Sequence, residues 1–537
     1  MTTSQLINKI IDGTSTKKIF EGDLMNEWND GYFTSDTYTY GYYRELNPTF
    51  QNFCLLINGF AAPELNESSN HCELGFGQGV AVNFHAAATP GKFYGTDFNP
   101  AHAAHANELC NASKCNAKFF DDSFEQMLNR DDLPQFDSIS LHGIWSWIST
   151  ENQKIIVEFA KKFLKPGGVF YNSYNCYPGW AAKSPLRELL ILYDKFVGET
   201  ESNTVKRVDG ALNFTKELLS KNPIYARTIP GLEKTLAEMT KENHNYLAHE
   251  FFNRDWICMY FTEVAEILSA AKLDFACTAQ PLDLLDQANF DPEAIEFLNK
   301  IQNPIMKEQA KDYFINRQFR KDIFVRGARK LSQAERRNRL MNMNFVLMTT
   351  ADIDMKCVVA RGEITFNNPD FEKAIEFLRS DNYRPKKFFD LLKNNPSVNV
   401  SNIEQIINFL VSTDKMMPCQ TEETIKKVKA NCDRLNNYLI KRAENVGEIN
   451  GLASPVIGGA YPIGRFEQIF IDSYKNGVRK SEDLAKRAWK IVESQGQRLL
   501  KDGKTVESAE ENLKLFDEMA KKFLNLMLPI VKALQIV

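Results

Sequence analysis

The stretch Glu73-Leu74-Gly75-Phe76-Gly77-Gln78-Gly79 decides the fold, because it joins a strand-like run, His71-Cys72-Glu73-Leu74, to a helix-like run at 80–88. Closely spaced glycines at such a junction let the backbone turn tightly and approach a ligand without a side-chain clash. A dinucleotide-binding fingerprint would have its third glycine at position 80, but Val80 is found there and the third glycine is Gly79. The pattern is therefore E-x-G-x-G-x-G, and it predicts a ligand-binding turn in an α/β sheet.

Strand-like and helix-like runs alternate outward from this turn, from about residue 70 to residue 175. This alternation is typical of a doubly wound parallel sheet with helices on both faces. Residues 181–246 look helical and carry no strand signal, whereas the helical run 261–271 is followed by a strand-like run at 273–277. We therefore expect 181–246 to interrupt the domain and 273–277 to form the far edge of the same sheet. Further strands are expected at 92–96, 136–141 and 169–174, with helices at 101–110 and 151–163.

The composition excludes several classes of protein. The chain has 537 residues, 43% of them hydrophobic and 25% charged, which indicates several folded domains. A net charge of -4 without blocks of like charge argues against a dedicated nucleic-acid binder. Ten scattered cysteines indicate a reducing compartment. Neither a signal peptide nor a membrane span is recognised, so we expect a cytoplasmic protein.

A carboxylate follows the second predicted strand in Tyr94-Gly95-Thr96-Asp97. At this place an acidic side chain can accept hydrogen bonds from both hydroxyls of a ribose. The E-x-G-x-G-x-G pattern of the turn, with an acid two residues before the first glycine, resembles motif I of the class I S-adenosylmethionine (SAM)-dependent methyltransferases. The resemblance implies that Asp97 binds the ribose and that Asp121 is the acidic residue near the adenine amine. The cofactor-binding residues that it implies are Glu73, Gly75, Gly77, Gly79, Asp97, Asp121, Asp122, Ser123 and His142.

The segment after the fourth predicted strand, residues 141–147, lies where this family brings the substrate to the methyl group. The Asp/Asn-Pro-Pro-aromatic motif of nucleic-acid amino methyltransferases is absent from it, which argues against base methylation. Aromatic faces here suit a cationic or nascent ammonium group, although burial in the core is the alternative for each tryptophan. The candidate catalytic residues are His142, Trp145, Tyr40 and His249. The candidate substrate-binding residues are Tyr38, Tyr42, Trp147, Tyr174 and Trp180.

Residues 246–256 contain His249 and Glu250, which together with His244 raise the question of a metal site. The two histidines are five residues apart, off the i, i+4 spacing of a zinc-binding helix, so we predict no metal. We expect this segment to return to the active-site face beside the segment 174–180.

These later segments resemble bacterial methyltransferases that carry a methyltransferase regulatory domain, among them rickettsial protein-lysine methyltransferases that act on an outer-membrane protein. The resemblance extends to residues 316–322 and 453–459. It implies a protein-lysine N-methyltransferase whose downstream domains help to bind a protein substrate, with a surface or outer-membrane protein precursor as one such substrate. A small-molecule O- or N-methyltransferase and a SAM-binding scaffold protein stay open as alternatives, and a homodimer is compatible with either reading.

The fold that follows is a doubly wound Rossmann-like methyltransferase sheet with a helical insertion, continued by mainly helical and winged-helix-like C-terminal domains. The winged-helix expectation rests on three short helical runs (371–379, 385–394 and 401–411) before a strand-like run at 416–419. Residues 401–407 carry no Lys or Arg, which favours protein packing over DNA binding. The expected domains are 1–60 (tyrosine-rich lid), 61–180 with 247–285 (SAM-binding), 181–246 (insertion), 286–365 (regulatory), 366–425 (winged-helix-like) and 426–537 (C-terminal helical).

Overall fold

A seven-stranded sheet forms the centre of the computed structural model, which describes residues 39–198, 203–229, 231–241, 247 and 253–537. The strands are β1 (Asn70–Leu74), β2 (Lys92–Thr96), β3 (Ala117–Phe120), β4 (Phe136–Leu141), β5 (Leu164–Asn175), β6 (Leu273–Thr278) and β7 (Phe319–Arg326). Their order in the sheet is β3-β2-β1-β4-β5-β7-β6. The first five strands pair in parallel, and β7 runs antiparallel to both of its neighbours. The predicted doubly wound Rossmann-like sheet is confirmed.

Helices cover both faces of this sheet, and each face has its own apolar core. Strand β5 shows how the sequence supplies both cores: Tyr171 packs into the first, whereas Phe170 and Tyr174 pack into the second. Because successive strand residues point to opposite faces, a strand that is covered on both sides reads as continuously apolar. The helices of the first face are α1 (Pro48–Ile57), α2 (Val80–Ala88) and α3 (Pro100–Ser113), and those of the second include α4 (Phe124–Asn129) and α5 (Thr150–Phe163).

The expected insertion follows β5 and is helical in its described parts. Its helices are α6 (Ser184–Phe196), α7 (Thr204–Ser220), α8 (Ile224–Thr228) and α9 (Leu232–Met239). Leu186, Leu190, Leu212 and Leu236 belong to a small separate core, so the insertion packs on itself. The chain then returns to the sheet through α10 (Phe261–Ser269) and β6, which confirms the predicted strand at the far edge.

Strand β7 was not predicted, and it lies between β5 and β6. It comes from the range 286–365 that the sequence indicated as a regulatory domain, so part of that range completes the central sheet. Three consecutive charged residues, 320–322, obscure its strand pattern. The range also contains α11 (Asp286–Asn289), α12 (Pro292–Lys300), α13 (Pro304–Ile315) and α14 (Gln333–Asn342).

The next part of the chain contains two small antiparallel sheets. One joins β8 (Asn344–Leu347), β11 (Lys386–Lys387) and β12 (Met416–Cys419), and the other pairs β9 (Lys356–Val359) with β10 (Gly362–Thr365). Three helices lie among these strands: α15 (Phe371–Arg379), α16 (Phe388–Asn394) and α17 (Val400–Ser412). The helices and the strand expected between 371 and 419 are therefore present, whereas the winged-helix assignment stays a prediction.

The C-terminal part packs directly against the central domain. Residues of α2 share one apolar core with the hairpin formed by β13 (Leu452–Ser454) and β14 (Gly459–Tyr461). The Asn47 side chain donates a hydrogen bond to the Ile457 carbonyl (2.9 Å). In the described part of the chain, no helix combines the length and apolar character that crossing a bilayer requires. The elements are α18 (Glu422–Ala443), β13 (Leu452–Ser454), β14 (Gly459–Tyr461), α19 (Arg465–Lys475), α20 (Ser481–Ser494), β15 (Leu500–Lys501), β16 (Lys504–Thr505), α21 (Ala509–Lys522) and α22 (Leu528–Ala533).

Candidate active site

The glycine turn between β1 and α2 adopts a backbone conformation that other residues avoid. Gly75, Gly77 and Gly79 have φ angles of 74°, 56° and 71°, in the left-handed region. A Cβ atom on Gly75 would lie 2.4 Å from Ile144 Cδ1, and one on Gly79 would lie 2.4 Å from Ala106 Cβ. The turn therefore requires glycine both for its backbone angles and for its close contacts.

Asp97 holds this turn against the end of β2. Its carboxylate accepts hydrogen bonds from the backbone amides of Gly77 (2.8 Å) and Asn99 (3.1 Å), and it lies 3.0 Å from His102 Nδ1. A carboxylate has about four acceptor positions. These three partners leave room for about one hydroxyl of a ribose, fewer than the two that the sequence suggested, and give Asp97 a part in the fold as well.

Glu73 is a buried carboxyl group beside the turn. Burial raises its pKa to about 8, and the nearby Asp97 carboxylate acts in the same direction. A positively charged ligand would favour the ionised form of Glu73 and offset the free-energy cost of burying its negative charge. The residue therefore fits a site for a cationic group, such as the sulfonium compound that the motif implies.

The three residues predicted to hold the adenine differ in their surroundings. The Asp122 carboxylate accepts a hydrogen bond from Arg130 (2.7 Å). Ser123 caps α4: its hydroxyl accepts from the Gln126 amide, and its own amide donates to the Gln126 side chain. Asp121 has an exposed side chain. Asp121 thus stays the predicted adenine contact, whereas Asp122 and Ser123 have partners within the fold.

A cleft lies over the turn and is roofed by residues 39–46. Tyr43 of this roof packs on the His142 ring, with centroids 4.1 Å apart. Tyr42 packs against Phe84, and Tyr40 meets His105 edge-on, so both contact helices behind the cleft. Tyr38 lies outside the described residues. The cleft is lined by Thr39, Gly41, Tyr43, Leu46, Glu73, Gly75, Phe76, Gly77, Gln78, Val80, Ala81 and His142.

His142 follows β4 and links the cleft to β5. Its Nδ1 atom lies 2.8 Å from the Tyr171 hydroxyl and 3.3 Å from the Ser173 hydroxyl. Burial lowers the pKa of His142 to about 4, so the imidazole is neutral at neutral pH. An ion pair between Glu45 and Lys321 (2.6 Å) acts electrostatically on the same ring.

Several of these neighbours were missed from the sequence. Glu45 comes from the roof, Tyr171 and Ser173 from β5, and Lys321 from β7. Tyr43, by contrast, belongs to the tyrosine-rich lid that the sequence predicted. The alternation of Tyr171 and Ser173 along one strand is the signal that could have identified the two hydroxyls, because residues two apart share a face.

Two predicted site residues are core residues instead. The Trp145 side chain is 0% exposed and packs in the second core, so its ring offers no face to an amine. Tyr174 is also 0% exposed, and its hydroxyl donates to Asp322 (2.7 Å) on the face of β5 opposite to Tyr171. Tyr174 lies on β5, which is buried on both faces, so its apolar sequence does not reveal the orientation of each side chain. Trp145 begins a short 3-10 turn (Trp145–Trp147) after β4, and its ring packs into the second core.

The remaining candidates lie elsewhere or were not described. Trp147 is part-exposed, and Trp180 meets Trp256 edge-on, with centroids 5.1 Å apart. His249 lies outside the described residues, so its expected return to the site stays a prediction. In the described ranges, no group of His, Cys, Asp and Glu side chains is arranged to bind a metal.

Behind the site, a buried charge network ties α13 to the sheet. Arg320 contacts the carboxylates of Asp322 (2.7 Å), Asp312 (2.7 Å) and Glu308 (2.9 Å), and its side chain is 2% exposed. Burial raises the pKa of Asp312 to about 6, against the opposing effect of the arginine charge. The network pairs its charges internally, which is the condition for keeping them inside a protein.

Comparison with known proteins agrees with the cofactor-site geometry. A methyltransferase domain model matches residues 72–168, and a predicted methyltransferase regulatory domain model matches residues 243–326. An uncharacterized protein of Synechocystis sp. is 34% identical over 514 residues, covering 95% of this chain and 99% of that protein. An uncharacterized protein of Rickettsia prowazekii is 25% identical over 338 residues, covering 61% of this chain and 57% of its own length.

Solved structures show the same fold over nearly the whole chain. PKMT2 from Rickettsia typhi, in complex with S-adenosylhomocysteine (AdoHcy), superposes with a TM-score of 0.64 at 19% identity. The match covers 92% of this chain and 98% of that one. A second structure of PKMT2 from Rickettsia typhi gives a TM-score of 0.65 at 18% identity. The chain therefore shares the fold of PKMT2 over nearly its whole length.

Proposed function

Because this chain belongs to the class I SAM-dependent methyltransferases that carry a methyltransferase regulatory domain, we propose that it methylates a lysine side chain of a protein substrate. The observation that carries the proposal is the Tyr43 ring, which packs on His142 and lines the cofactor cleft together with the Phe76 ring. Aromatic faces are the groups that receive an alkylammonium. The resemblance to rickettsial protein-lysine methyltransferases supports the same substrate class.

The residues of the cleft fit the cofactor. SAM, when bound, supplies an electrophilic methyl group on a sulfonium. The glycine turn would let the backbone approach it, Glu73 would face its positive charge, and Asp97 would accept a ribose hydroxyl. Asp121 would accept a hydrogen bond from the adenine amine.

An amine must be neutral to attack a methyl group. Apolar and aromatic surroundings lower the pKa of a lysine amine because they desolvate its charged form. Tyr43 and Leu46 of the roof, together with Phe76 of the turn, would supply such surroundings and hold the amine near the methyl group. Positioning of the two reacting centres then accounts for most of the rate, since no strong base is needed.

The downstream domains would bind the protein that carries the lysine. They contact the roof and α2 directly, through Asn47 and the Thr89 hydroxyl, which donates to the Gly458 carbonyl (3.0 Å). A substrate held on these domains would thus lie next to the cleft. All ten cysteines are free thiols, which supports action in a reducing compartment such as the cytoplasm.

Mass spectrometry of a lysate incubated with the enzyme and methyl-labelled SAM tests the proposal. We expect label on lysine residues of a protein with the wild-type chain and none with Gly77→Val, whose melting temperature is measured to confirm folding. Label found only on small molecules would contradict the protein substrate, and cofactor binding without any transfer would indicate a scaffold.

A further inference from the structure

We propose that Tyr171 and Ser173 hold His142 as its Nε2–H tautomer, so that His142 donates a hydrogen bond into the cleft and does not remove a proton from the substrate. Tyr171 and Ser173 are then positioning residues that act through His142. The identity of the group bound by His142 rests on the proposed function, whereas the tautomer does not.

The three side chains form a closed group. Tyr171 and Ser173 lie two residues apart on β5, are both 0% exposed, and approach the same ring nitrogen of His142 at 2.8 and 3.3 Å. The Ser173 hydroxyl also lies within hydrogen-bonding reach of the Tyr171 phenol. With Nδ1 turned toward these hydroxyls, Nε2 is the ring nitrogen left for the cleft that His142 lines.

Counting protons assigns the donors. The Gly143 amide donates to the Ser173 hydroxyl oxygen (2.8 Å), so this oxygen already accepts one hydrogen bond. The hydroxyl protons of Ser173 and Tyr171 still need acceptors. Both are satisfied if the Ser173 hydroxyl donates to the Tyr171 oxygen and the Tyr171 hydroxyl donates to Nδ1 of His142. Both are also satisfied if the Tyr171 hydroxyl donates to the Ser173 oxygen and the Ser173 hydroxyl donates to Nδ1 directly. A neutral imidazole has one protonated nitrogen. If Nδ1 accepts, the proton is on Nε2.

The opposite tautomer leaves a buried hydroxyl without an acceptor. If Nδ1–H donated to the Tyr171 oxygen, the Tyr171 proton would pass to Ser173, and the Ser173 proton would then face a nitrogen that is itself a donor. An unsatisfied buried donor costs free energy that a satisfied network avoids. The arrangement on β5 therefore selects Nε2–H.

The charges around His142 keep the ring neutral. Glu45 of the roof raises its pKa and Lys321 of β7 lowers it, and these two groups are bonded to each other. Tyr43 of the roof and Tyr171 of β5 are phenols whose pKa values burial raises, so both are neutral. Burial of the ring is the largest influence and opposes protonation.

A neutral histidine whose Nδ1 is occupied has no lone pair for the proton of an incoming amine. Its Nε2–H instead fits an oxygen acceptor. Two groups have this chemistry: the carboxylate of the amino-acid part of the cofactor, and a backbone carbonyl of the substrate. The amine proton must leave by another route, such as water.

Nitrogen NMR of the full chain labelled at histidine tests the tautomer. The chain has seven histidines, and His142 is assigned by the signal missing in His142→Gln. We expect wild type to show Nε2–H without titration from about pH 5.5 to about pH 8.5. Tyr171→Phe should shift the ring toward a mixture of tautomers, and Ser173→Ala should do so less. Tyr174→Phe is the matched control, since it removes a buried hydroxyl from the other face of the same strand and should leave the signal unchanged.

An Nδ1–H tautomer in wild type, or a midpoint of titration near that of free histidine, would overturn the proposal. If Tyr171→Phe fails to fold, Ser173→Ala and the wild-type signal still decide which tautomer is present.

Calorimetry with His142→Ala distinguishes the two proposed acceptors, the cofactor carboxylate and the substrate carbonyl. Binding of AdoHcy weakened about tenfold or more, with 5′-methylthioadenosine unaffected, assigns the cofactor carboxylate. Unchanged binding of both compounds, with a reduced kcat/KM for the methylated protein, assigns the substrate carbonyl. Unchanged binding and turnover would contradict the donor role.

Discussion

Each face of β5 carries a buried tyrosine hydroxyl, and the two hydroxyls have different roles. On one face, the Tyr171 hydroxyl contacts His142 at the cleft. On the other, the Tyr174 hydroxyl donates to Asp322, whose partner is Arg320. Both tyrosines are fully buried. A role can therefore be assigned to a buried tyrosine in such a strand only once the face of the sheet on which it lies is known.

The energetics of the two faces also differ. The far face holds ionised groups that compensate each other, and removing one partner leaves an uncompensated charge. The cleft face holds neutral hydroxyls and a neutral imidazole, and losing one of their hydrogen bonds costs less. Substitutions on the far face should therefore change stability most, and those on the cleft face should change ligand binding.

Arg320→Ala should have the largest effect. It leaves the Asp312 and Asp322 carboxylates buried without their cation, and we expect the free energy of unfolding to fall by about 3–5 kcal/mol. Denaturant unfolding measures the change. The control is Arg329→Ala, whose side chain is 60% exposed and whose loss should cost no more than about 0.5 kcal/mol. Equal effects of the two variants would contradict the role of the network.

Tyr174→Phe should come next. It removes a hydrogen bond to a charged group, and we expect a loss of about 1.5–3 kcal/mol in the free energy of unfolding. AdoHcy affinity should stay at the wild-type value because the hydroxyl faces away from the cleft. A variant of normal stability with weakened AdoHcy binding would return Tyr174 to the site.

Glu73 provides a pH test of the cleft side. Its pKa is raised to about 8 in the folded protein, above its value of about 4.3 in an unfolded chain. Glu73 therefore loses its proton at a lower pH in the unfolded chain than in the folded protein. As the pH rises between these two pKa values, the free energy of unfolding falls by up to about 1.4 kcal/mol per pH unit. The free energy of unfolding of Glu73→Gln should lack this fall between about pH 5 and about pH 8, the range between the two pKa values. Parallel curves for the two proteins would refute the assignment.

Tyr171→Phe should have the smallest effect on stability. It removes one hydrogen bond between neutral groups, so the expected loss is about 0.5–1.5 kcal/mol, less than for Tyr174→Phe. The same denaturant titration compares the two variants. A larger loss for Tyr171→Phe would reverse the distinction between the two faces.

The sequence allowed some of this to be predicted. Local patterns sufficed for the glycine turn and for the edge strand β6. They did not suffice for β7, because its three consecutive charges hide the alternation and its partners in β5 lie about 150 residues earlier. Tyr43 and Lys321 reach His142 from opposite ends of the domain, and no local pattern connects them. Tyr174 was misassigned because a strand buried on both faces does not reveal the orientation of its side chains. Trp145 was misassigned because the sequence does not show that the 3-10 turn Trp145–Trp147 directs this ring into the core.

Every role given to the cleft residues requires that the cofactor binds between the glycine turn and the roof. Hydrogen–deuterium exchange of the full chain, with and without saturating AdoHcy, tests it most directly. We predict slower exchange in residues 39–46, 73–79 and 141–147, with unchanged exchange in α13. Unchanged exchange at 73–79, while calorimetry confirms that AdoHcy is bound, would contradict the claim.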